Sequence, residues 1–507
     1  MKLSTAMMLS LVGMALSSVS VWALAPTGAA ATPSPVTAVL GGATASGGGD
    51  AQTLAQLFKG GGAGEATFSA GSTLMMQGRL GHPVLGAGRE NETYLFLDVD
   101  AQAEAAAGAQ APVNLAIVLD RSGSMQGQRM QNAIAAATGM IRRLRDGDTV
   151  SVVGYNTSTQ VFLPPTRIDG SNRDLALSAL RGIDAQGNTC VSCGLETAMD
   201  LLARGPQGSV QRILLLSDGE ANTGVRDVEG FRRLGERARG METAVSSIGV
   251  DVDYNEKVLF ALSQASNGRH YFVEDPSGLP RIFDDELRSL VTTVASNATV
   301  EIQLAAGVTV EQVFDRAFEQ RGDRVTVPFG SFSVGDEKTV LLRLRVPAGD
   351  PGDRPIASVR LHWQDLVLSK EGTCEGNLVA QLSRDAAQVS PLDALVETRL
   401  ARSETAAALA LANEQFAAGD LSSARQTLSS SRGRIRNRQA EAAARAPAVA
   451  AQKVESEFQT QLDAFDDAER GFGNAAANAP EPTAAPDSFD GKRQIRKNAD
   501  RFDDFGL

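Results

Sequence analysis

"VNLAIVLDRSGSM", residues 113–125, sets an apolar strand against an Asp, a Gly and two Ser one residue apart. A strand apolar at successive positions has both faces buried, as in a parallel sheet covered by helices. Its carboxyl end then presents Asp120, Ser122 and Ser124. Such a group could be a capped turn, a nucleophile or an oxygen cage for a hard cation.

Around this stretch, from 112 to 295, strand and helix patterns alternate. A helix follows in which Met130, Ile134, Met140, Ile141 and Leu144 share a face, then the strand "TVSVVGYN" and the helix "NRDLALSALRGI". A Gly/Asn loop leads to the helix "LETAMDLLARG", the strand "QRILLLSDG", the helix "VEGFRRLGERARGM" and the strand "ETAVSSIGV". A helix near Val258–Ala265, the strand "RHYFVED" and the helix "LPRIFDDELRSLVTTVA" complete the unit. Apolar strands between amphipathic helices predict an α/β domain with a parallel sheet covered on both faces. Right-handed crossovers put every strand's carboxyl end on one edge, the edge that carries Asp120.

Further out the pattern is β-rich. Residues 67–111 hold short strands, the clearest at Tyr94–Val99, and the small-residue linker "AQAEAAAGAQAP". Residues 296–390 hold "ATVEIQLA", "DRVTVPFG", "TVLLRLRVP", "PIASVRLHW" and "GNLVAQLS", punctuated by Gly, Asp and Pro. The first group is too small to bury a face alone. Both groups are therefore expected to form one β-sandwich into which the α/β domain is inserted. Residues 391–470 are Ala-rich and helical, and "ALALANEQFAAGDLSSARQTL" has the spacing of a tetratricopeptide-like hairpin. Residues 471–507 are low in aliphatics and are read as a disordered tail.

The amino end, "MKLSTAMMLSLVGMALSSVSVWALA", reads as a signal peptide over 1–25 with Ala23–Ala25 at the cut, or Ala29–Ala31 as the alternative. Residues 26–66 are a Gly- and Ala-rich flexible leader. No later segment is long and apolar enough to span a membrane, so the protein is expected to be exported: periplasmic, on the cell surface or secreted. A length of 507 residues requires several domains, and a net charge of −12 argues against a nucleic-acid binder.

Three separated pieces fall on the same sheet edge. Asp120, Ser122 and Ser124 follow the first strand, Thr189 lies in the loop "QGNTCVSCG", and Asp218 ends "QRILLLSDG". Separately each has a capping or turn explanation. Together they offer only oxygen, from two carboxylates and three hydroxyls, which suits Mg²⁺ with Mn²⁺ or Ca²⁺ as alternatives. The two carboxylates balance the ion's charge and leave a coordination position for an outside carboxylate. Here the sequence resembles the von Willebrand factor type A domain, whose metal-ion-dependent adhesion site is an Asp-x-Ser-x-Ser, a distant Thr and a distant Asp. The match is "DRSGS", Thr189 and the Asp218 of "SDG". Flanking strands on both sides look like bacterial secreted members and the inter-alpha-trypsin inhibitor heavy-chain type. The resemblance implies a doubly wound, Rossmann-like fold and cation-dependent binding of a protein partner through its Asp or Glu, rather than turnover.

Thr189 is followed by Cys190 and Cys193, and the third Cys of the chain is Cys374. In an exported protein a Cys190–Cys193 disulfide is the default, with redox sensing or metal binding as alternatives and Cys374 unpaired. Two other functions compete with adhesion. A hydrolase would use Ser122, Ser124 or the metal, yet His82, His270 and His362 are all far from the site loops in sequence. An envelope scaffold would act through its helical region, with the metal site secondary.

Overall fold

The computed structural model describes residues 66–102 and 111–506, apart from 207, 220, 252 and 253. The expected signal peptide and all of the leader but Ala66 lie outside the described residues. Strands β1 (Thr67–Gly71), β2 (Leu74–Leu80), β3 (Val84–Gly86) and β4 (Asn91–Ala101) come first.

The α/β domain follows: β5 (Val113–Asp120), α1 (Gln128–Arg143), β6 (Thr149–Tyr155), β7 (Thr159–Arg167), α2 (Arg173–Ala179) and α3 (Val191–Leu202). Then come β8 (Val210–Ser217), α4 (Val228–Gly240), β9 (Thr243–Val250), α5 (Glu256–Ala265), β10 (His270–Val273) and α6 (Leu279–Val291). The sheet order is β10-β9-β8-β5-β6-β7, parallel except for the edge strand β7. β5 is buried throughout. Its Val113, Leu115, Ile117 and Leu119 join the core under α1 and α6, while Ala116 and Val118 join the core under α3 and α4. The continuous apolar run thus resolves into two alternating faces, both covered.

The chain returns through β11 (Thr293–Leu304), β12 (Thr309–Phe314), β13 (Glu319–Arg321), β14 (Arg324–Ser333), β15 (Glu337–Val346), β16 (Gly352–Asp365) and β17 (Lys370–Ser383). These do not form a sandwich alone. β4 pairs along its whole length with β15, Leu97 opposite Val340, giving a five-stranded sheet β1-β2-β4-β15-β12. The facing sheet is β13-β14-β11-β16-β17-β3. Leu95, Leu97 and Val99 from one side of the insertion share a core with Val300, Ile302 and Leu344 from the other. The sandwich built from two sequence-distant halves is as expected.

Helices α7 (Ala394–Ala417), α8 (Leu421–Arg445), α9 (Ala448–Asn478) and α10 (Phe489–Gly506) end the chain. The Gly-Asp of the hairpin signature is the α7–α8 turn: Gly419 has φ +81°, and Asp420 caps α8 by accepting from Ser423 N. Phe416 stacks on Phe472 with ring centroids 4.2 Å apart.

Over 471–506 the structure differs from the disordered tail expected for 471–507. α9 runs to Asn478, and α10 packs on α7, on α9 and on β10. The contacts that hold it are polar apart from Ile495, which packs on the core of the helical region, and scarcity of aliphatics therefore concealed them. Gln494 bonds Asn498, Asn498 bonds Asn413, and Asn413 bonds the Ile495 carbonyl. Arg493 pairs with Glu274, Arg496 pairs with Glu256 and donates to the Tyr254 carbonyl, and Asp500 accepts from Phe272 N on the edge strand β10. No helix among the described residues is long and apolar enough to cross a membrane.

Candidate metal centre

The candidate residues stand where buried strands end. Asp120 closes β5, and Asp218 directly follows its neighbour β8. β6 lies on the other flank of β5, so the connections leave β5 in opposite directions and open a crevice at this edge, the usual ligand position in such sheets.

Asp120 is fully buried and bonded through both oxygens. Oδ1 accepts from Ser122 N at 2.8 Å, and Oδ2 accepts from Ser217 Oγ at 3.0 Å and Tyr155 Oη at 3.2 Å. Those bonds use three of about four lone-pair sites and leave one, on Oδ1. Ser122 Oγ lies 3.0 Å from Ser124 Oγ, which donates to Asp218 Oδ1 at 2.7 Å. Ser122, Ser124 and Asp218 therefore meet in a continuous oxygen row.

Thr189 reaches the same place by backbone stitching. Its N donates to Asn222 Oδ1 at 2.9 Å, and its carbonyl accepts from Asn222 N and Thr223 N. A Cβ at Gly219 would lie 3.8 Å from Ser124 Oγ and 3.9 Å from Thr189 Oγ1, so both hydroxyls flank the open space at that glycine. The loops after β5, β8 and the Gly/Asn segment thus converge.

Burial drives the electrostatics. It raises the Asp120 carboxyl to about 6 against the bonds from Ser122, and the like charge of Asp218 pushes the same way. Burial also raises Asp218, opposed by Ser124 and Arg129. The Tyr155 hydroxyl is raised well above its ordinary range, by burial first and then by Asp120. Two desolvated carboxylates beside three hydroxyls, with no nitrogen or sulfur donor among the five, form a set that fits a hard cation.

Some contributors were not read from the sequence. Tyr155 ends an apolar strand at the same edge, and Ser217 precedes Asp218, so strand-end position was an available signal for both. Arg129 gave none. It reaches from α1 to Asp218 Oδ2 at 3.0 Å and to the Ser124 carbonyl at 3.1 Å, and it also pairs with Asp251.

Cys190 and Cys193 form a disulfide with Cα atoms 5.4 Å apart, and Cys374 is a buried free thiol. The helix begins earlier than its apolar pattern indicated: Cys190 is the N-cap of α3 and Cys193 lies in its first turn. The segment after Asp218 is tied to the bridged turn, since Val225 N donates to Ser192 Oγ at 3.0 Å. His270 is engaged elsewhere: its Nδ1 bonds Ser247 and its Nε2 bonds Tyr254.

The family model for the von Willebrand factor type A domain matches residues 114–285. An uncharacterized protein of Synechocystis is 28% identical over 265 residues, 50% of this chain and 62% of that protein. Bovine inter-alpha-trypsin inhibitor heavy chain H4 is 25% identical over 197 residues, 36% of this chain and 21% of that one. Each match spans less than two thirds of the relative. A solved von Willebrand factor type A protein from Catenulispora acidiphila superposes with a TM-score of 0.64 at 20% identity, covering 79% of this chain and 92% of that one. The sheet order, the crevice at β5 and the family match agree: residues 114–285 of this chain are a von Willebrand factor type A domain.

Proposed function

We propose that the chain is an exported, Mg²⁺-dependent protein-binding module. Asp120, Ser122, Ser124, Thr189 and Asp218 hold the ion, with Mn²⁺ or Ca²⁺ as substitutes, and the partner contributes an Asp or Glu. The observation that carries this reading is the oxygen row of Ser122, Ser124 and Asp218, spaced 3.0 and 2.7 Å, at the switch point of the sheet. Domains of this type typically mediate protein–protein contacts, often through metal-dependent sites.

Each residue has a distinct part. Asp218 offers charge directly into the row. Asp120 fixes the Ser122 backbone and has one lone pair left for the ion or for a water on it. Tyr155 and Ser217 hold Asp120 in place from behind. Thr189 is kept at the rim by its three backbone bonds to Asn222 and Thr223. When bound, the cation supplies an electrophilic position that a carboxylate from outside completes. Export rests on the leading segment of the sequence.

The test is thermal. At a Mg²⁺ concentration about a hundred times its dissociation constant, binding adds roughly 2.7 kcal/mol of stability. The protein should melt higher in Mg²⁺ than in chelator, and Asp218→Ala and Asp120→Ala should melt alike in both. Ser122→Ala should weaken the response, since a water can replace a neutral hydroxyl. Partner capture should follow the same series. If Asp120→Ala kept its partner in chelator, the adhesion reading would fall and the scaffold reading would replace it.

A further inference from the structure

Arg129 reaches the candidate centre from the wrong end of its helix. It stands in the first turn of α1, where the helix dipole favours an anion, and no acidic residue shares that turn. The compensation comes from outside the helix. Nη1 donates to Asp218 Oδ2 at 3.0 Å and to the Ser124 carbonyl at 3.1 Å, and Nη2 pairs with Asp251, which directly follows β9. Asp218 therefore faces two ways. Its Oδ1 takes the Ser124 hydroxyl in the oxygen row, and its Oδ2 takes the guanidinium. We propose that Arg129 is a tethered counter-cation, which neutralises Asp218 before a metal ion binds and holds down the affinity of the centre for that ion. The inference rests on the metal reading above and deepens it, since this residue then sets the cation concentration at which the module loads.

Two roles for Arg129 have opposite consequences. As a clamp, it fixes Asp218 and the Ser124 main chain relative to each other, and its loss would loosen two ligands. As a charge, it opposes a cation across the width of one carboxylate, and its loss would tighten binding. The contacts favour the charge. Asp218 Oδ1 is already held by Ser124 Oγ at 2.7 Å. The Ser122–Ser124 loop has backbone bonds of its own, from Gly123 N to the Gly187 carbonyl and from Met125 N to the Ser122 carbonyl, both 3.1 Å. The Asp218 side chain is fully buried, whereas that of Arg129 is 30% exposed and reaches it from the rim. A buried carboxylate is costly without a cation beside it, and the guanidinium meets that need until an ion arrives.

Asp251 supplies the means of telling the roles apart. Breaking the bridge at either end removes the same contact, yet the local charge changes in opposite directions. Asp251 has φ +67°, a conformation that Asn also adopts, so Asp251→Asn keeps both shape and backbone.

The experiment measures Mg²⁺ affinity of the full chain by calorimetry, with melting temperatures in Mg²⁺ and in chelator. Arg129→Gln should bind Mg²⁺ about ten-fold more tightly, melt below wild type in chelator and gain more from the ion. Asp251→Asn should bind more weakly than wild type. Both differences should shrink as sodium chloride is added, because Arg129 and Asp251 are partly exposed. Arg129→Lys keeps the charge without the fork and should stay within about three-fold of wild type. A clamp would weaken binding in Arg129→Gln and Asp251→Asn alike. That result, or Arg129→Gln binding no more tightly than wild type, would overturn the proposal while leaving the metal reading in place. Circular dichroism checks each fold. Should Arg129→Gln fail to fold, Arg129→Lys decides, and a loss beyond about three-fold overturns the proposal. A wild type that binds none of Mg²⁺, Mn²⁺ and Ca²⁺ would overturn the metal reading itself, and this inference with it.

Discussion

Asp120 shows what burial does to a carboxylate at a strand end. Its ordinary value near 3.8 is raised to about 6, so at pH 7 it is ionised both folded and unfolded, and the folded form bears the cost. Removing the charge while keeping an oxygen should relieve that cost. Asp120→Asn is expected to melt at or above wild type in chelator, by at most about 3 kcal/mol, and to gain nothing from Mg²⁺. Melting curves with and without the ion test both halves; a variant less stable in chelator would mean that the bonds to Ser217 and Tyr155 outweigh the charge. His270 has the opposite sign. Burial, and then Arg496, lower its imidazole to about 3 from 6.5. The unfolded chain takes up that proton first, so stability present above pH 6.5 is lost as pH falls toward 3, at up to about 1.4 kcal/mol per pH unit. The difference between wild type and His270→Gln in denaturation midpoint, followed from pH 7 to pH 4.5, isolates this slope. At this scale the sequence exposed residue types and their strand-end positions, since an Asp after an apolar run has few places to go. It could not expose Arg129, whose contacts with Asp218 and Asp251 join residues 89 and 122 positions apart.

The CVSC segment shows what an element adds to a motif. Its Cys were legible as a disulfide from the expected export of the chain, but their place at the start of α3 was not. The apolar periodicity begins only at Leu195, and the turn before it is made helical by tertiary contacts: Cys190 N donates to the Asn156 carbonyl, and Gly194 packs against the Tyr155 ring. Closing so short a loop is worth about 2 kcal/mol on the chain-entropy estimate. Cys190→Ser with Cys193→Ser should therefore lower stability by about that amount or less and leave the fold intact, as read from denaturant midpoints. A loss far above this would show that the bridge holds the domain rather than bracing the Thr189 loop. α10 is the other case. Its apolar content is low because its amides and arginines do the docking, so composition concealed it. Truncation after residue 478 should lower the melting temperature and speed hydrogen exchange at Phe272 N, which Asp500 covers. An unchanged melting temperature would return this segment to a dispensable tail.

At the scale of the molecule, the inserted domain leaves and re-enters the sandwich beside one turn. Ala101, the last residue of β4, exchanges backbone bonds with Gly335 and Asp336, and Thr292, just before β11, accepts from Val334 N. Both crossings touch residues 334–336, so the sandwich is expected to close whether or not the α/β domain is present. That arrangement was readable in outline, because a first strand group too small for a core implied the second, whereas the shared turn joins Ala101 to residues more than 200 positions away. Two deletions test it. Replacing residues 103–291 with a short Gly/Ser linker should leave a sandwich and helical bundle that unfold cooperatively, less stable than wild type because α10 loses Glu256, Glu274 and Phe272. Deleting residues 66–101 should do far more harm. It removes β1, β2, the central β4 and the β3 that edges the facing sheet, leaves β15 paired only with β12, and exposes the core faces of Val300, Ile302 and Leu344. A two-stranded remnant is marginal in water, so the facing sheet would lose its cover. The expected result is loss of cooperative melting for the sandwich residues 293–383 while residues 112–292 keep their own transition, followed by hydrogen exchange on each segment. If the sandwich residues stayed protected without 66–101, the two halves would not form one folding unit, and the inserted domain would be an ordinary neighbour in a linear chain.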